Sequence, residues 1–144
     1  MRVLFDTSVV VAASLPQHPR YVPCFAQLRA AKDKQVQGHL STHSLAEIYS
    51  VLTRMPSKPR MLPQDVRLLI DHQLHYLEAV SLESDSYRAA ITQMSVLNIL
   101  GGGIYDALIA QAALKISADR LLTLNPKHFN RLGEAIELLV FVPE

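Results

Sequence analysis

The chain of 144 residues has little of several features that would indicate other classes of protein. Its one cysteine, Cys24, excludes an internal disulfide and a multi-cysteine zinc site, and it fits a reducing, cytoplasmic compartment. The 14 Lys and Arg residues nearly balance the 13 Asp and Glu residues. This balance excludes a surface that is basic all over and binds duplex nucleic acid through its charge, but it does not exclude a local basic patch. No apolar run reaches the ~20 residues that a membrane-spanning helix needs.

The sequence does contain enough apolar material for one buried core. Hydrophobic residues make up 49% of the chain and charged residues 19%, which is typical of a folded domain and not of a disordered tail. Because the chain is too short for two ordinary cores, we expect one domain over residues 1–144.

Short apolar runs alternate with helical patterns along the chain. Strands are predicted at 2–5, 36–40, 79–82, 121–124 and 138–142. Helices are predicted between them, at 9–15, 21–35, 42–54, 63–77, 84–97 and 104–117. This alternation predicts an α/β fold with a mainly parallel sheet. In such sheets ligands collect at the carboxyl ends of the strands, where the strand order reverses.

Three carboxylates lie at positions that suit such a ligand site. Asp6 follows the first strand, Glu47 lies on the helix predicted at 42–54, and Asp106 opens the helix predicted at 104–117. Each has a plain structural explanation, since Asp6 and Asp106 suit helix starts and Glu47 suits a solvent-facing position. Together, hard oxygen ligands that return to one sheet edge without histidine or cysteine suit Mg²⁺ or Mn²⁺.

Four segments of the chain resemble the motifs of the PIN-domain family. They are residues 3–8, 44–47, 105–110 and 122–129, and they follow one another in the family's order and spacing. As a short single-domain chain, it is similar to the VapC-type toxins of bacterial toxin–antitoxin pairs, which are ribonucleases. The resemblance implies a single three-layer domain with a mostly parallel five-stranded sheet, in the order 3-2-1-4-5, flanked by helices.

The resemblance also implies a metal-dependent endoribonuclease whose products carry a 5′-phosphate and a 3′-hydroxyl. Asp6, Glu47 and Asp106 would be its catalytic carboxylates and would hold Mg²⁺ or Mn²⁺. Asn125 stands where the family often has Asp, so a charge is lost there, but its carbonyl oxygen still suits the metal or a bound water. The resemblance implies an RNA substrate and a small antitoxin protein as partners. A second copy of the chain is also expected as a partner, and a membrane is not.

Further residues are candidates for supporting roles. Thr7, Ser8 and Thr123 are candidates for orienting ligands by hydrogen bonds, although turn and cap roles would explain them equally well. The helices predicted at 42–54 and 63–77 could form a groove for a partner or a second copy, or simply pack into the core. RNA contacts are expected from basic residues near the three carboxylates. These are Arg29, Lys32, Lys34, Arg54, Lys58 and Arg60.

Other function classes remain open at this point. A non-catalytic RNA-binding or interaction domain would share the fold, with Asn125 as the first sign of a decayed site. A phospho-acceptor signalling domain would need an acidic pair after the first strand, where Thr7 and Ser8 stand instead. Histidine metal sites are disfavoured, and His128 is expected to support a turn rather than to catalyse.

Overall fold

The computed structural model of the chain describes residues 1–56 and 58–144, and in this part of the chain strands alternate with helices. The strands are β1 (Arg2–Phe5), β2 (Gln37–Ser41), β3 (Leu77–Val80), β4 (Arg120–Leu122) and β5 (Val140–Phe141). The helices are α1 (Thr7–Ala13), α2 (Tyr21–Lys32), α3 (Thr42–Arg54), α4 (Pro63–Gln73), α5 (Ser84–Leu97), α6 (Gly103–Lys115), α7 (Pro126–Asn130) and α8 (Glu134–Glu137). Among the described helices, none is long and apolar enough to cross a membrane.

The strands form one five-stranded sheet in the order β3-β2-β1-β4-β5, which confirms the expected order. All four strand pairings are parallel, so the sheet is parallel throughout. In the register, Leu4 of β1 pairs with His39 of β2 on one side and with Leu121 of β4 on the other. The strand order reverses between β1 and β4, and the carboxyl ends of these two strands therefore lie side by side.

The central strand β1 is buried on both faces of the sheet. Leu4 and Phe5 are completely buried, and they belong to two different apolar clusters. Phe5 packs in the cluster that includes Ile48 of α3, whereas Leu4 packs in the cluster that includes Ile109 of α6. Successive side chains of a strand point to opposite faces, and an uninterrupted apolar run therefore serves both layers of helices.

Strand β2 approaches α2 so closely that only glycine fits at residue 38. A Cβ atom on Gly38 would lie 2.8 Å from the Cβ of Ala31 and 2.6 Å from Cδ2 of Leu77. Both distances are shorter than van der Waals contact. The absence of a side chain at Gly38 thus sets the distance between the sheet and α2.

Several element boundaries differ from those predicted from the sequence. The predicted helix at 63–77 ends at Gln73, and Leu77 instead begins β3. The predicted strand at 121–124 ends at Leu122. Its end has a local cause, because the side-chain hydroxyl of Thr123 accepts a hydrogen bond from the backbone N–H of Asn125, at 2.9 Å, and turns the chain. This turn carries Asn125 toward the end of β1.

Candidate active site

A cleft of about 220 Å³ lies at the carboxyl ends of β1 and β4. We call it the acidic cleft. It gathers the four predicted metal ligands from four separate segments of the chain. Its lining residues are Asp6, Thr7, Ser8, Val11, Glu47, Val51, Asp106 and Asn125.

Asp6 is held inside the acidic cleft by two hydroxyl groups. Ser8 Oγ donates to Asp6 Oδ2 at 2.7 Å, and Thr123 Oγ1 donates to the same oxygen at 2.8 Å. Each hydroxyl also accepts a backbone N–H, that of Leu124 for Ser8 and that of Asn125 for Thr123. Although Asp6 precedes α1, its side chain makes no capping hydrogen bond to that helix. A cap role therefore does not explain Asp6, and the two hydroxyls orient this carboxylate.

The charge on Asp6 is disfavoured by its surroundings. Burial is the largest effect and raises the pKa of Asp6 above its ordinary value, while the hydrogen bonds from Ser8 and Thr123 lower that pKa. The neighbouring negative charge of Glu47 raises the pKa further. The carboxylate therefore sits where a nearby positive charge would stabilise it.

Glu47 is fixed to the start of α1 through Thr7. Thr7 Oγ1 lies 3.0 Å from Glu47 Oε1 and 2.9 Å from Ser44 Oγ. Because a hydroxyl has one proton, Thr7 donates to the carboxylate and accepts from Ser44. The Glu47 side chain lines the acidic cleft and is 33% exposed, so it is not a freely solvated surface group.

Asp106 faces two basic side chains from the segment that follows β4. Its Oδ2 atom lies 3.5 Å from His128 Nδ1 and 3.9 Å from Arg131 Nη2. Burial and the charge of Asp6 raise the pKa of Asp106 to about 6, His128 and Arg131 lower it, and Glu47 raises it. Without a bound cation, the carboxylates of the cleft therefore oppose one another's ionisation.

Sequence reasoning missed the contacts that His128 and Arg131 make with Asp106. His128 was expected only to support a turn, and Arg131 was not singled out. Both residues follow β4, whereas Asp106 lies on α6, so no local spacing relates them. The available signal was topological, because the chain after β4 returns to the sheet edge where α6 begins.

A stacked histidine and tyrosine flank the acidic cleft, and sequence reasoning missed this pair as well. The ring centroids of His43 and Tyr105 lie 4.7 Å apart, and their planes differ by 11°. His43 Nε2 lies 3.2 Å from Glu47 Oε1, but it makes no hydrogen bond of good geometry with the described residues. The i,i+4 spacing of His43 and Glu47 on α3 was a signal that could have linked these two residues.

The donor set of the acidic cleft fits a hard divalent cation. In the described part of the chain, no group of three His, Cys, Asp or Glu side chains is arranged so that it could hold a metal ion as it stands. The three carboxylates and the Asn125 amide therefore line the cleft without closing on a central point. Mg²⁺ prefers oxygen ligands and keeps several of its waters, which means that it does not require a closed protein cage.

The expected RNA-contacting basic residues fall in different places. Arg29, Lys32 and Lys34 lie at the end of α2 and in the turn before β2, at the amino edge of the sheet. The acidic cleft is at the opposite edge, so the expectation that these three residues lie near the carboxylates is wrong. The reason is that the helix of a parallel βαβ unit returns the chain to the amino edge. Arg54, Lys58 and Arg60 are exposed, and their contact with RNA stays a prediction.

The fold and the acidic cleft agree with the comparison against known protein families. A family model described as the PIN domain matches residues 2–127, and the chain belongs to the PIN-domain family. Ribonuclease VapC40 of Mycobacterium tuberculosis is 30% identical over 137 residues, which cover 93% of this chain and 96% of that protein. Ribonuclease VapC27 of the same organism is 32% identical over 117 residues, which cover 79% of this chain and 78% of that protein.

A solved structure has the same fold. A chain in the crystal structure of VapBC2 from Rickettsia felis, bound to a DNA fragment from their promoter, matches with a TM-score of 0.69. The match covers 100% of both chains at 22% sequence identity. The PIN-like α/β fold expected from the sequence is thereby confirmed.

Proposed function

We propose that this chain is a Mg²⁺- or Mn²⁺-dependent endoribonuclease and the toxin of a toxin–antitoxin pair. The observation that carries the proposal is the convergence of Asp6, Glu47 and Asp106 in one cleft, where burial and neighbouring charges raise the pKa of Asp106 to about 6. Carboxylates that repel one another favour a bound cation. The two relatives that carry the name ribonuclease support RNA as the substrate.

Four residues would hold the metal ion. Asp6, Glu47 and Asp106 supply carboxylate oxygens, and Asn125 supplies an amide oxygen at the rim. A bound Mg²⁺ or Mn²⁺ lowers the pKa of a water molecule and neutralises negative charge on the phosphoryl oxygens.

The remaining polar residues of the acidic cleft position these groups. Ser8 and Thr123 hold the Asp6 carboxylate, and Thr7 holds the Glu47 carboxylate, so neither has to reorient when a substrate enters. Arg131 places a positive charge at the wall beside Asp106, and the His128 ring lies beside the same carboxylate. An RNA phosphate that approaches there meets a guanidinium group as well as carboxylates.

The experiment compares RNA cleavage by the wild-type protein and by the Asp6→Asn variant, in EDTA and in Mg²⁺ or Mn²⁺. We expect cleavage only with metal. Because even residues that merely support a metal ligand cost about 10- to 100-fold when lost, we expect Asp6→Asn to be at least about 100-fold slower. Asp85→Asn, on α5 and outside the acidic cleft, is the matched control and should keep full activity.

Two outcomes would contradict the proposal. Cleavage that persists in EDTA would show that no metal is needed, and equal cleavage by Asp6→Asn would remove the carboxylates from the mechanism. A folded wild-type protein that binds RNA and never cleaves it would instead favour the non-catalytic RNA-binding domain.

A groove between α3 and α4 is the proposed docking site of the antitoxin. A cavity of about 400 Å³ there is lined by residues of both helices, among them Tyr49, Arg67 and Ile70. Two apolar side chains in and directly before α4 are also exposed, Leu62 at 61% and Leu68 at 52%. The VapBC2 structure, in which a chain of this fold is part of a complex, supports a protein partner. Co-purification of the wild-type protein and a Leu68→Glu variant with the candidate antitoxin tests this site.

Two further proposals accompany the toxin function. The chain forms a homodimer, which light scattering on the purified protein tests. It acts in the cytoplasm, a reducing compartment that suits a single buried thiol at Cys24. A monomer at micromolar concentration would contradict the first of these proposals.

A further inference from the structure

The ring of Tyr105 stands at the edge of the acidic cleft, where it is stacked on a histidine and still accessible to solvent. His43 covers one face, with ring centroids 4.7 Å apart and planes 11° from parallel. Even so, 48% of Tyr105 remains exposed to solvent. A Cβ on Gly102 would lie 3.9 Å from Tyr105 Cδ2, so residue 102, as glycine, adds no side chain at this edge of the ring.

The position of this ring is fixed relative to the cleft carboxylates. Tyr105 directly precedes Asp106 on α6, and His43 lies one turn before Glu47 on α3. His43 Nε2 is 3.2 Å from Glu47 Oε1. The stacked pair therefore joins the two helices that carry these carboxylates, and it holds the ring of Tyr105 beside the cleft.

We propose that the face of Tyr105 opposite His43 is a stacking platform for an unpaired RNA base next to the phosphodiester that enters the acidic cleft. The proposal rests on the proposed function, since it takes single-stranded RNA as the substrate. Tyr105 would be a binding and specificity-determining residue, and His43 a positioning residue that keeps the ring in place.

The chemistry of the ring suits a nucleobase better than other occupants. Every base has a flat π face, and unpaired bases of RNA are commonly bound by stacking on exposed aromatic side chains. A tyrosine packed into the core would hide its ring, whereas Tyr105 leaves nearly half of its surface open. A base held there would place its own backbone phosphate beside Asp106. The platform thus explains an exposed aromatic residue that the metal site does not use.

The test measures stacking separately from cleavage. The probe is a uridine heptamer with a central 2-aminopurine, whose fluorescence is quenched when the base stacks on an aromatic ring. The probe is titrated with wild-type protein, Tyr105→Phe, Tyr105→Leu and His43→Ala in Ca²⁺, with the intactness of the RNA checked on a gel. Tyr87→Leu is the matched control, because Tyr87 is a comparably exposed tyrosine (41%) on α5, outside the acidic cleft.

We expect wild-type protein, Tyr105→Phe and Tyr87→Leu to quench the probe and bind it equally well. Tyr105→Leu should lose the quenching and bind about 5- to 150-fold more weakly, which is the range measured for one stacked base. His43→Ala should keep part of the quenching with weaker binding. In cleavage assays Tyr105→Leu should raise KM more than it lowers kcat. Thermal melting shows whether each variant is folded.

Failure of the platform and failure of the proposed function are distinguishable. Unchanged quenching and affinity in folded Tyr105→Leu, or no quenching by the wild-type protein, would overturn the platform even if the wild-type protein cleaves RNA. Quenching that depends on Tyr105 in a protein that cleaves no RNA would support the platform and overturn the nuclease.

Discussion

Replacing Asp106 with Asn is expected to stabilise the metal-free protein at neutral pH. The pKa of Asp106 in the folded protein is raised from 3.8 to about 6, with burial as the first cause and the charge of Asp6 as the second. The folded protein therefore binds this proton more tightly than the unfolded chain does. It follows that the free energy of unfolding falls as the pH rises from about 4 to about 6.

The size of the effect follows from the same pKa. One pKa unit corresponds to about 1.4 kcal/mol, so the charged Asp106 costs up to about 3 kcal/mol at pH 7. The side chain is 21% exposed, and little of this is lost to solvent screening. For a chain of this length, Asp106→Asn should raise Tm by several degrees, at most about 12 °C. At pH 4 the gain should largely vanish, because the folded wild-type protein is then protonated at this position.

The assay is thermal unfolding of wild type, Asp106→Asn and Asp85→Asn in EDTA at pH 4 and pH 7. Asp85 is the control because it is a carboxylate in the first turn of α5, outside the acidic cleft, and its removal should not raise Tm. Added Mn²⁺ should raise the Tm of the wild type more than that of Asp106→Asn, since ligand binding to the folded state stabilises it. An Asp106→Asn protein that melts at or below the wild-type temperature at pH 7 in EDTA would refute the reasoning.

Other consequences of the structure are open to measurement. Expression of the chain alone should slow bacterial growth and Asp6→Asn should not, and equal growth would argue against the toxin function. Asn125→Asp adds an anionic ligand and should tighten Mn²⁺ binding in calorimetric titration, whereas an unchanged affinity would place residue 125 outside the metal site. Gly38→Ala should lower the stability by about 1–3 kcal/mol, because its Cβ would overlap Ala31, and an unchanged urea midpoint would show that β2 can move away from α2.

Much of the fold could be predicted because apolar periodicity reports burial directly. The helices at 42–54 and 84–97 have the predicted bounds, and β1 does as well. The ends of β4 and α4 could not be read from apolar residues alone. Thr123 ends β4 through a side-chain hydrogen bond, and the helical pattern at 63–77 continues across a turn into Leu77 of β3.

The candidate site was predictable in part for a similar reason. Asp6, Asp106 and Asn125 are recognisable because each follows a strand or opens a helix at the carboxyl edge of the sheet. The stacking of His43 on Tyr105 could not be predicted, because it depends on the separation between α3 and α6. The prediction placed the basic residues at 29–34 near the carboxylates because it considered only their charge. The helix before β2 returns the chain to the amino edge of the sheet, and these residues therefore lie away from the acidic cleft.

The position of β1 in the sheet has a consequence for the chain while it is being synthesised. β1 is synthesised before the other four described strands, yet it lies at the centre of the sheet. The backbone N–H of Asp6, directly after β1, donates to the carbonyl of Leu122. One of the two hydroxyls that orient the Asp6 carboxylate belongs to Thr123. Chains are synthesised from the N-terminus at about 5–20 residues per second, so several seconds pass between the synthesis of Asp6 and that of Leu122 and Thr123. With the function proposed above, a nascent chain that has not yet reached Thr123 would not cleave RNA, and it would not need an antitoxin to restrain it.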